Sequence, residues 1–229
     1  SKAIITLLAV MKAGAKIAQI PAGEDITLQR NLVADCGCDL LITEGGQLFT
    51  NIESLSIADL IQQAENVDTT NPIEVPRNAD RVAHILPEIG GVYSETHGQI
   101  AQQLNLLKKI LKPSADEKSL FLDRYALTGI LWENILPLCV GGTVVTTDAQ
   151  PDSIDAILES NEITRLYITD RALVSWMSYS KAKSLKLKKL VVINGELRPD
   201  LMKPLTQKAE MAIHLIYGLP RTGGPLLAR

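Results

Sequence analysis

The fold is decided near the end of the sequence, where the apolar run Ile213-His214-Leu215-Ile216 is followed by Tyr217-Gly218-Leu219-Pro220-Arg221-Thr222-Gly223-Gly224. A short apolar run bounded by turn residues is typical of a strand buried on both faces, as in a parallel sheet. Ligands of such sheets bind beyond the carboxyl ends of the strands, so the residues after Ile216 occupy the usual position of an active-site loop. This loop contains Arg221 but no acidic residue. It therefore has the position of a catalytic loop without an obvious catalytic group.

Strand and helix patterns alternate through the second half of the chain. Short apolar runs predict the strands, and apolar residues at helical spacing predict the helices. Strands that are apolar on both faces and alternate with helices predict an α/β fold, in which mostly parallel sheets are flanked by helices. The strands are expected at 119–122, 143–147, 165–169, 190–193 and 212–217, and the helices at 96–111, 127–140, 152–160, 170–179 and 199–210.

The first part of the chain shows the same alternation with fewer elements. Helix patterns at 4–11 and 28–33 each precede a short strand pattern, at 16–21 and 40–43. The stretch 65–78 is polar, contains two prolines and shows no periodicity, which is typical of a connecting loop. We therefore expect one domain, residues 1–229, with a first lobe at 1–75 and a second lobe at 76–229.

Composition and charge exclude several classes of function. The 229 residues are 46% hydrophobic, and 23 basic against 26 acidic residues give a net charge of −3. No basic field is therefore available to attract nucleic acid or an anionic membrane. The apolar stretch 3–11 is shorter than the roughly 20 residues that span a bilayer, and no export signal accompanies it. We expect no nucleic-acid partner and no membrane association.

Cysteines and lysines allow two further hypotheses. Cys36 and Cys38 are too close for an ordinary disulfide, which favours free thiols and a cytoplasmic location. A zinc site combining them with a histidine lacks the paired spacing of structural zinc sites, so we expect no metal. A basic run is interpreted as a solvated face, with docking of an acidic domain as the alternative. The run comprises Lys181, Lys183, Lys186, Lys188 and Lys189.

Four segments share the order and spacing of one family's motifs. They are Leu8-Ala9-Val10-Met11-Lys12-Ala13-Gly14-Ala15 with Gln19-Ile20-Pro21; Leu131-Trp132-Glu133 with Pro137-Leu138 and Gly141-Gly142-Thr143-Val144-Val145; Leu190-Val191-Val192-Ile193-Asn194-Gly195-Glu196-Leu197; and Ile216-Tyr217-Gly218. Together they resemble the adenylation domains of nonribosomal peptide synthetases, within the acyl-adenylate-forming superfamily. The matches extend over nearly the whole chain. The resemblance implies part of the large N-terminal subdomain of such a domain.

The resemblance also implies an activity that this sequence does not support. Family members join an amino or aryl acid to AMP, using ATP and magnesium, and then transfer the acyl group to a carrier-protein thiol. Their triphosphate is wrapped by a Ser/Thr/Gly-rich loop that ends in Pro-Lys-Gly. The corresponding stretch here, 85–93, has no lysine and contains Glu88, whose carboxylate repels phosphate. His97 matches a family position near that loop, and we interpret it as a surface or packing residue.

Two more family groups are replaced. The aspartate that holds the substrate's ammonium corresponds to Thr128 by the register of Trp132-Glu133. The acid of the family's Tyr-Gly-Pro-Thr-Glu loop, which helps to hold magnesium, is lost, and Arg221 stands in the loop after Gly218. We also expect the first N-terminal strands and the C-terminal subdomain with its catalytic lysine to be missing.

These losses together predict a pseudoenzyme, because positioning and charge stabilisation disappear at once. We expect no catalytic residue and no retained ATP or magnesium. Trp132 either stacks on a ligand or belongs to the core. Glu196 either contacts a ligand in the pocket or braces the turn before Pro199. The degenerate substrate and nucleotide pocket is expected to comprise Thr128, Trp132, Glu196, Tyr217 and Gly218.

The expected function is that of a catalytically inactive adenylation-like domain of a nonribosomal peptide or hybrid polyketide synthetase. It would act as a structural or protein-recruiting platform, with flanking synthetase domains, a carrier protein or a second copy of the chain as partners. The alternative is a fragment of an active ATP-dependent ligase that adenylates an amino or acyl acid and loads a carrier protein. A third hypothesis is binding of a small acid without chemistry.

Overall fold

The chain divides into two compact units, Ser1–Gly98 and Gln99–Arg229. The computed structural model describes residues 2–20, 25–44, 51–67, 78–88, 91–121, 135–147, 151–182, 185–195, 199–208, 210–219 and 224–228. Most of the connecting loop expected at 65–78 lies outside these residues. The lobe boundary expected after residue 75 is a different division of the chain and stays a prediction.

In its described residues, the first unit combines three helices with two small sheets. Its elements are α1 Lys2–Lys12, β1 Ile17–Ala18, α2 Ile26–Asp35, β2 Leu40–Thr43, β3 Glu53–Ser56, α3 Ile57–Ala64, β4 Val82–Glu88 and β5 Gly91–Thr96. One sheet has the order β1-β4-β5, with β1 parallel and β5 antiparallel to β4. The other is the parallel pair β2-β3. Asp25 caps α2, since its side chain accepts a hydrogen bond from the Thr27 amide at 2.7 Å.

The second unit is built on one six-stranded sheet. Its elements are α4 His97–Leu111, β6 Lys118–Phe121, β7 Thr143–Thr146, α5 Ile154–Ser160, β8 Arg165–Thr169, α6 Asp170–Tyr179, β9 Lys189–Ile193, α7 Pro199–Lys208, β10 Ala212–Leu219 and β11 Gly224–Ala228. The order is β11-β10-β9-β8-β6-β7, and the strand pairs are parallel except that of β11 with β10. The predicted α/β fold with a mostly parallel sheet flanked by helices is confirmed.

Alternate residues of the central strands pack on opposite faces of this sheet. Leu166 and Ile168 of β8 join a core formed with α5, α6 and α7, which includes Trp176. Tyr167 of β8 joins a second core formed with α4. Both faces are therefore covered by helices, which explains why the strands are apolar on both sides.

A buried ionic cluster lies at the amino ends of the parallel strands. Arg165, the first residue of β8, is fully buried, and its Nη2 lies 2.5 Å from Oε2 of Glu117. Lys189, the first residue of β9, binds Oε1 of the same carboxylate at 2.5 Å. Both cations also donate to the carbonyl of Leu111 at the end of α4, at 2.9 and 3.2 Å. The cluster therefore caps the helix C-terminus with positive charge.

Two parts of the sequence interpretation change here. Lys189 does not belong to a solvated basic face, since its side chain is only 21% exposed and pairs with Glu117. The 85–93 stretch, expected to correspond to a phosphate-wrapping loop, lies mostly in the antiparallel pair β4-β5. Elsewhere in the run, Lys186 lies 3.6 Å from Glu162 on the surface.

Candidate functional site

The carboxyl ends of β8, β9 and β10 form the candidate site in the second unit. Thr169, Ile193 and Ile216 lie side by side in the sheet register. The next residues of each strand therefore meet at one edge, where ligands of parallel sheets bind. Tyr217 and Gly218 lie at this edge, and Tyr217 is 47% exposed. The other expected pocket residues, Thr128, Trp132 and Glu196, lie outside the described part of the chain.

Asn194 follows β9 directly and forms hydrogen bonds with residues near the end of β10. Its backbone has a left-handed φ of 51°, a conformation that asparagine tolerates better than most residues. Its Oδ1 accepts a hydrogen bond from the backbone amide of Gly218 at 2.9 Å, and its own amide donates to Ile216 at 2.8 Å. The Gly218 amide is therefore bonded within the protein, although Asn194 itself is largely exposed.

Asp170 covers the next residue of the same turn, Gly195. A side-chain carbon placed on Gly195 would overlap Cβ of Asp170 and would lie 2.6 Å from its Cγ and 3.1 Å from its Oδ2. The backbone at Gly195 is therefore in direct contact with the side chain of the first residue of α6. Glycine is required there because the space above its Cα is already filled.

Backbone amides in the first turn of α6 donate hydrogen bonds to side chains at the start of the same helix. Thr169 accepts a hydrogen bond from the amide of Ala172 at 3.3 Å, and Asp170 accepts one from the amide of Arg171 at 2.7 Å. A helix N-terminus with free amides attracts anions. Here two first-turn amides are bonded to side chains and a carboxylate stands beside them, which opposes the approach of a phosphate.

The β4-β5 pair in the first unit replaces the expected phosphate loop. Glu88 at the end of β4 is paired with Gly91 at the start of β5, so only residues 89 and 90 lie between the strands. No lysine occurs from residue 82 to residue 96. Further along the pair, Nδ1 of buried His84 lies 2.9 Å from Oε2 of Glu95. In the sequence, the two residues between the strands are isoleucine and glycine, and neither carries a charge.

The thiols of the first unit have high pKa values. Burial, assisted by the charges of Cys38 and Asp35, raises the pKa of Cys36 to about 11. Burial also raises the pKa of Cys38, with Asp39 contributing. Both thiols are therefore protonated at neutral pH, which disfavours metal binding and nucleophilic chemistry. Within the described ranges, no three His, Cys, Asp or Glu side chains are grouped as metal ligands would be. None of the helices described here has the length and apolar character of a membrane span.

Asp170, Asn194 and Gly195 were not identified from the sequence as site residues. A Thr-Asp pair after one buried strand and an Asn-Gly pair after the next were the available signals. Each marks a turn or a helix start, and neither reveals that the two turns contact each other.

Comparison with known proteins gives structural matches only. No protein-family model matches the sequence, and no curated protein matches it at a significant level. Among solved structures, the N-terminal subdomain of Klebsiella oxytoca NpsA in complex with 3-hydroxybenzoyl-AMSN superposes with a TM-score of 0.82 at 20% identity. That match covers 100% of this chain and 59% of the other.

Two multidomain structures also match. NpsA-ThdA, an artificially fused adenylation-PCP di-domain from Klebsiella oxytoca, has a TM-score of 0.84 at 18% identity and covers 100% of this chain and 44% of its own. A four-domain nonribosomal peptide synthetase bound to AMP and glycine, AB3403, has a TM-score of 0.77 at 19% identity. That match covers 97% of this chain and 17% of the other. The chain thus spans less than two thirds of each matched structure. It has the fold of part of the N-terminal subdomain of an adenylation domain.

Proposed function

We propose that this chain is part of a catalytically inactive adenylation-like domain of a nonribosomal peptide or hybrid polyketide synthetase. The observation that carries the proposal is the β4-β5 connection. An adenylating enzyme must hold ATP while its α-phosphate is attacked, and the triphosphate needs several donors or cations at close range. The strand pairing of Glu88 with Gly91 leaves two residues for this purpose, and the sequence there supplies an acidic residue, Glu88, but no lysine.

The carboxyl edge of the second unit supports the same proposal. Two first-turn amides of α6 and the Gly218 amide are bonded to side chains of the protein. In the sequence, Arg221 occupies the position that the family's Tyr-Gly-Pro-Thr-Glu motif gives to its metal-binding acid. A cation there repels magnesium instead of binding it. Positioning and charge stabilisation would thus both be weak, and each normally contributes several kcal/mol to catalysis.

We further propose that the domain serves as a platform for a flanking domain of the same synthetase. Two matched structures are multidomain synthetase proteins, one of them fused to a carrier domain. In the first unit, α1 exposes Ile5 and Leu8, which are 59% and 39% accessible. Exposed apolar side chains on one helix favour contact with a protein partner. Crosslinking in the full-length protein tests this: Ile5→Glu with Leu8→Glu should reduce interdomain crosslinks, and unchanged crosslinks would exclude this helix.

Pyrophosphate exchange tests the absence of adenylation. The full-length protein is incubated with Mg-ATP, labelled pyrophosphate and a panel of amino, aryl and fatty acids, beside an adenylation domain of known activity. We expect exchange at the level of the no-acid blank for every acid. Acid-dependent exchange that is lost in a Tyr217→Ala variant would instead establish the alternative, an active ligase whose nucleotide contacts this edge.

A further inference from the structure

We infer that Asp170 and Asn194 fill the edge formed by the carboxyl ends of β8, β9 and β10, so that the chain's own side chains occupy the place where a nucleotide would bind. The inference rests on the proposed function and adds a local cause. The edge lacks the family's binding residues, and side chains of the protein also fill the space that a ligand would need. Three contacts carry it. They are Asp170 against Gly195, Asn194 with the Gly218 amide, and Asp170 with the Arg171 amide.

The contact between Asp170 and Gly195 removes space. Glycine at the end of a buried parallel strand normally permits close approach of a ligand to the backbone. At Gly195 that approach is taken by Cβ, Cγ and Oδ2 of Asp170. Asp170 is held in this place, because its Oδ1 accepts from the amide of Arg171 at 2.7 Å. The side chain is therefore a fixed cover over the middle strand end of the three.

The hydrogen bond to Asn194 makes the Gly218 amide unavailable as a donor to a ligand. The backbone amide of Gly218 lies at the end of β10, next to the partly exposed Tyr217. A ligand seated between β9 and β10 would need such an amide to orient an acceptor atom, and Asn194 Oδ1 already accepts from it at 2.9 Å. Because Asn194 follows Ile193 directly, the acceptor is supplied by the neighbouring strand and needs no other part of the molecule.

The two side chains act by different means, which makes them separable. Asp170 acts mainly through volume, and its charge adds repulsion of phosphate. Asn194 acts through one acceptor atom. Glycine at either position removes the obstruction, and Asn194→Gly also keeps the left-handed backbone without strain. Asp170→Asn keeps the volume and removes the charge, and Asn194→Asp keeps an acceptor oxygen.

The test is a gain of binding in the full-length protein. Calorimetry with adenosine and with AMP is performed on the unaltered protein, on Asp170→Gly, on Asn194→Gly and on the double variant. We expect saturable binding in the double variant at least about tenfold tighter than in the unaltered protein. Asp170→Asn and Asn194→Asp serve as matched controls and should show no gain with adenosine. Asp59→Ser, which removes an exposed first-turn acid from α3, controls for loss of a carboxylate.

Each result decides the inference. No gain in the folded double variant overturns it, and so does an equal gain in Asp170→Asn with adenosine, because volume would then not be the obstacle. If the double variant does not fold, hydrogen exchange of the Gly218 amide in Asn194→Gly replaces it. Exchange should then be about tenfold faster, and an unchanged rate overturns the inference. Acid-dependent pyrophosphate exchange by the unaltered protein would refute the proposed function separately, whatever the variants bind.

Discussion

The amino and carboxyl ends of the same parallel strands differ in what their polar groups do. At the amino ends, Glu117, Arg165 and Lys189 form a buried ionic cluster that caps α4. At the carboxyl ends, Asp170 accepts a hydrogen bond from the amide of the next residue, Arg171, and Asn194 accepts one from the amide of Gly218 in the neighbouring strand β10. In an enzyme of this architecture, charged groups at the carboxyl ends would serve the ligand. In this chain the strongest ionic interactions of the described sheet instead support the fold.

Removing Arg165 should have the largest effect on stability. Arg165→Met takes away a fully buried cation and leaves the Glu117 carboxylate, already 11% exposed, with Lys189 alone. We expect the free energy of unfolding to fall by roughly 3–5 kcal/mol, as for other broken buried pairs. Urea denaturation measures this. Adding Glu117→Gln should deepen the loss, because Lys189 then loses its carboxylate partner as well. A loss below about 1 kcal/mol would show that the cluster does not hold the sheet to α4.

Asp155, in the first turn of α5, provides an intermediate case, because its carboxylate is bound by neutral donors. It accepts from Trp176 at 2.8 Å, from Ser180 at 2.8 and 2.9 Å, and from two backbone amides. Asp155→Ala should reduce the free energy of unfolding by about 2–3 kcal/mol, since several donors, most of them partly buried, lose their acceptor together. Exposed Asp152→Ala is the matched control and should have little effect. Equal losses in the two variants would contradict this account.

The same carboxylate predicts a pH dependence. Burial raises the pKa of Asp155, but the hydrogen bonds from Trp176, Ser180 and the amides lower it further, so the net direction is down. Its contribution is therefore fully present above the unfolded pKa of about 4 and is lost as the pH falls through the folded pKa. Unfolding curves from neutral to acidic pH should lose less stability in Asp155→Asn than in the unaltered protein. Parallel curves for the two proteins would argue against the lowered pKa.

Lys189→Met tests how far the field of the ionic cluster reaches along the sheet. The pKa of His214 is lowered, first by burial and then by the charges of Arg165 and Lys189. Removing Lys189 should raise that pKa toward its ordinary value, as NMR titration of the imidazole would show. A lowered histidine pKa costs stability as the pH falls through the unfolded value of about 6.5, and the variant should lose less in that window. An unchanged pKa of His214 would show that the charges of the cluster affect only the groups that they contact directly.

Asn194→Gly should have the smallest effect on stability. The neutral hydrogen bond to the Gly218 amide is lost at an exposed residue, and glycine accepts the left-handed backbone, so the free energy of unfolding should change by less than about 1 kcal/mol. Chemical denaturation beside Arg165→Met gives the comparison directly. If the two variants were equally destabilised, the carboxyl ends would be as structural as the amino ends.

The sequence predicted the sheet better than the site. The bounds of β8 and α6 agree with the structure, because four buried residues precede Thr169, whose side chain caps the helix. The short polar strand β3 was missed, and so was β11, which contains Gly224 and Pro225. Glycine, proline and polar residues weaken the alternation that identifies a strand.

The site depended on contacts that spacing does not reveal. Tyr217 and Gly218 belong to β10 itself, which ends at Leu219, two residues beyond the end predicted from the apolar pattern. The cover on Gly195 comes from Asp170, a residue of another strand end, and its detection requires knowing which strands are neighbours. Lys189 was assigned to a solvated run for the same reason, since its partner Glu117 lies far away in sequence.

Calorimetric titration of the full-length protein with Mg-ATP tests the central claim most directly. The claim is that neither the β4-β5 connection nor the carboxyl edge provides the groups that hold a triphosphate. We expect no saturable heat at millimolar nucleotide, while an adenylation domain of known activity gives a full isotherm under the same conditions. A clear one-site isotherm that is lost in Tyr217→Ala would contradict the claim and make this chain part of a working ligase.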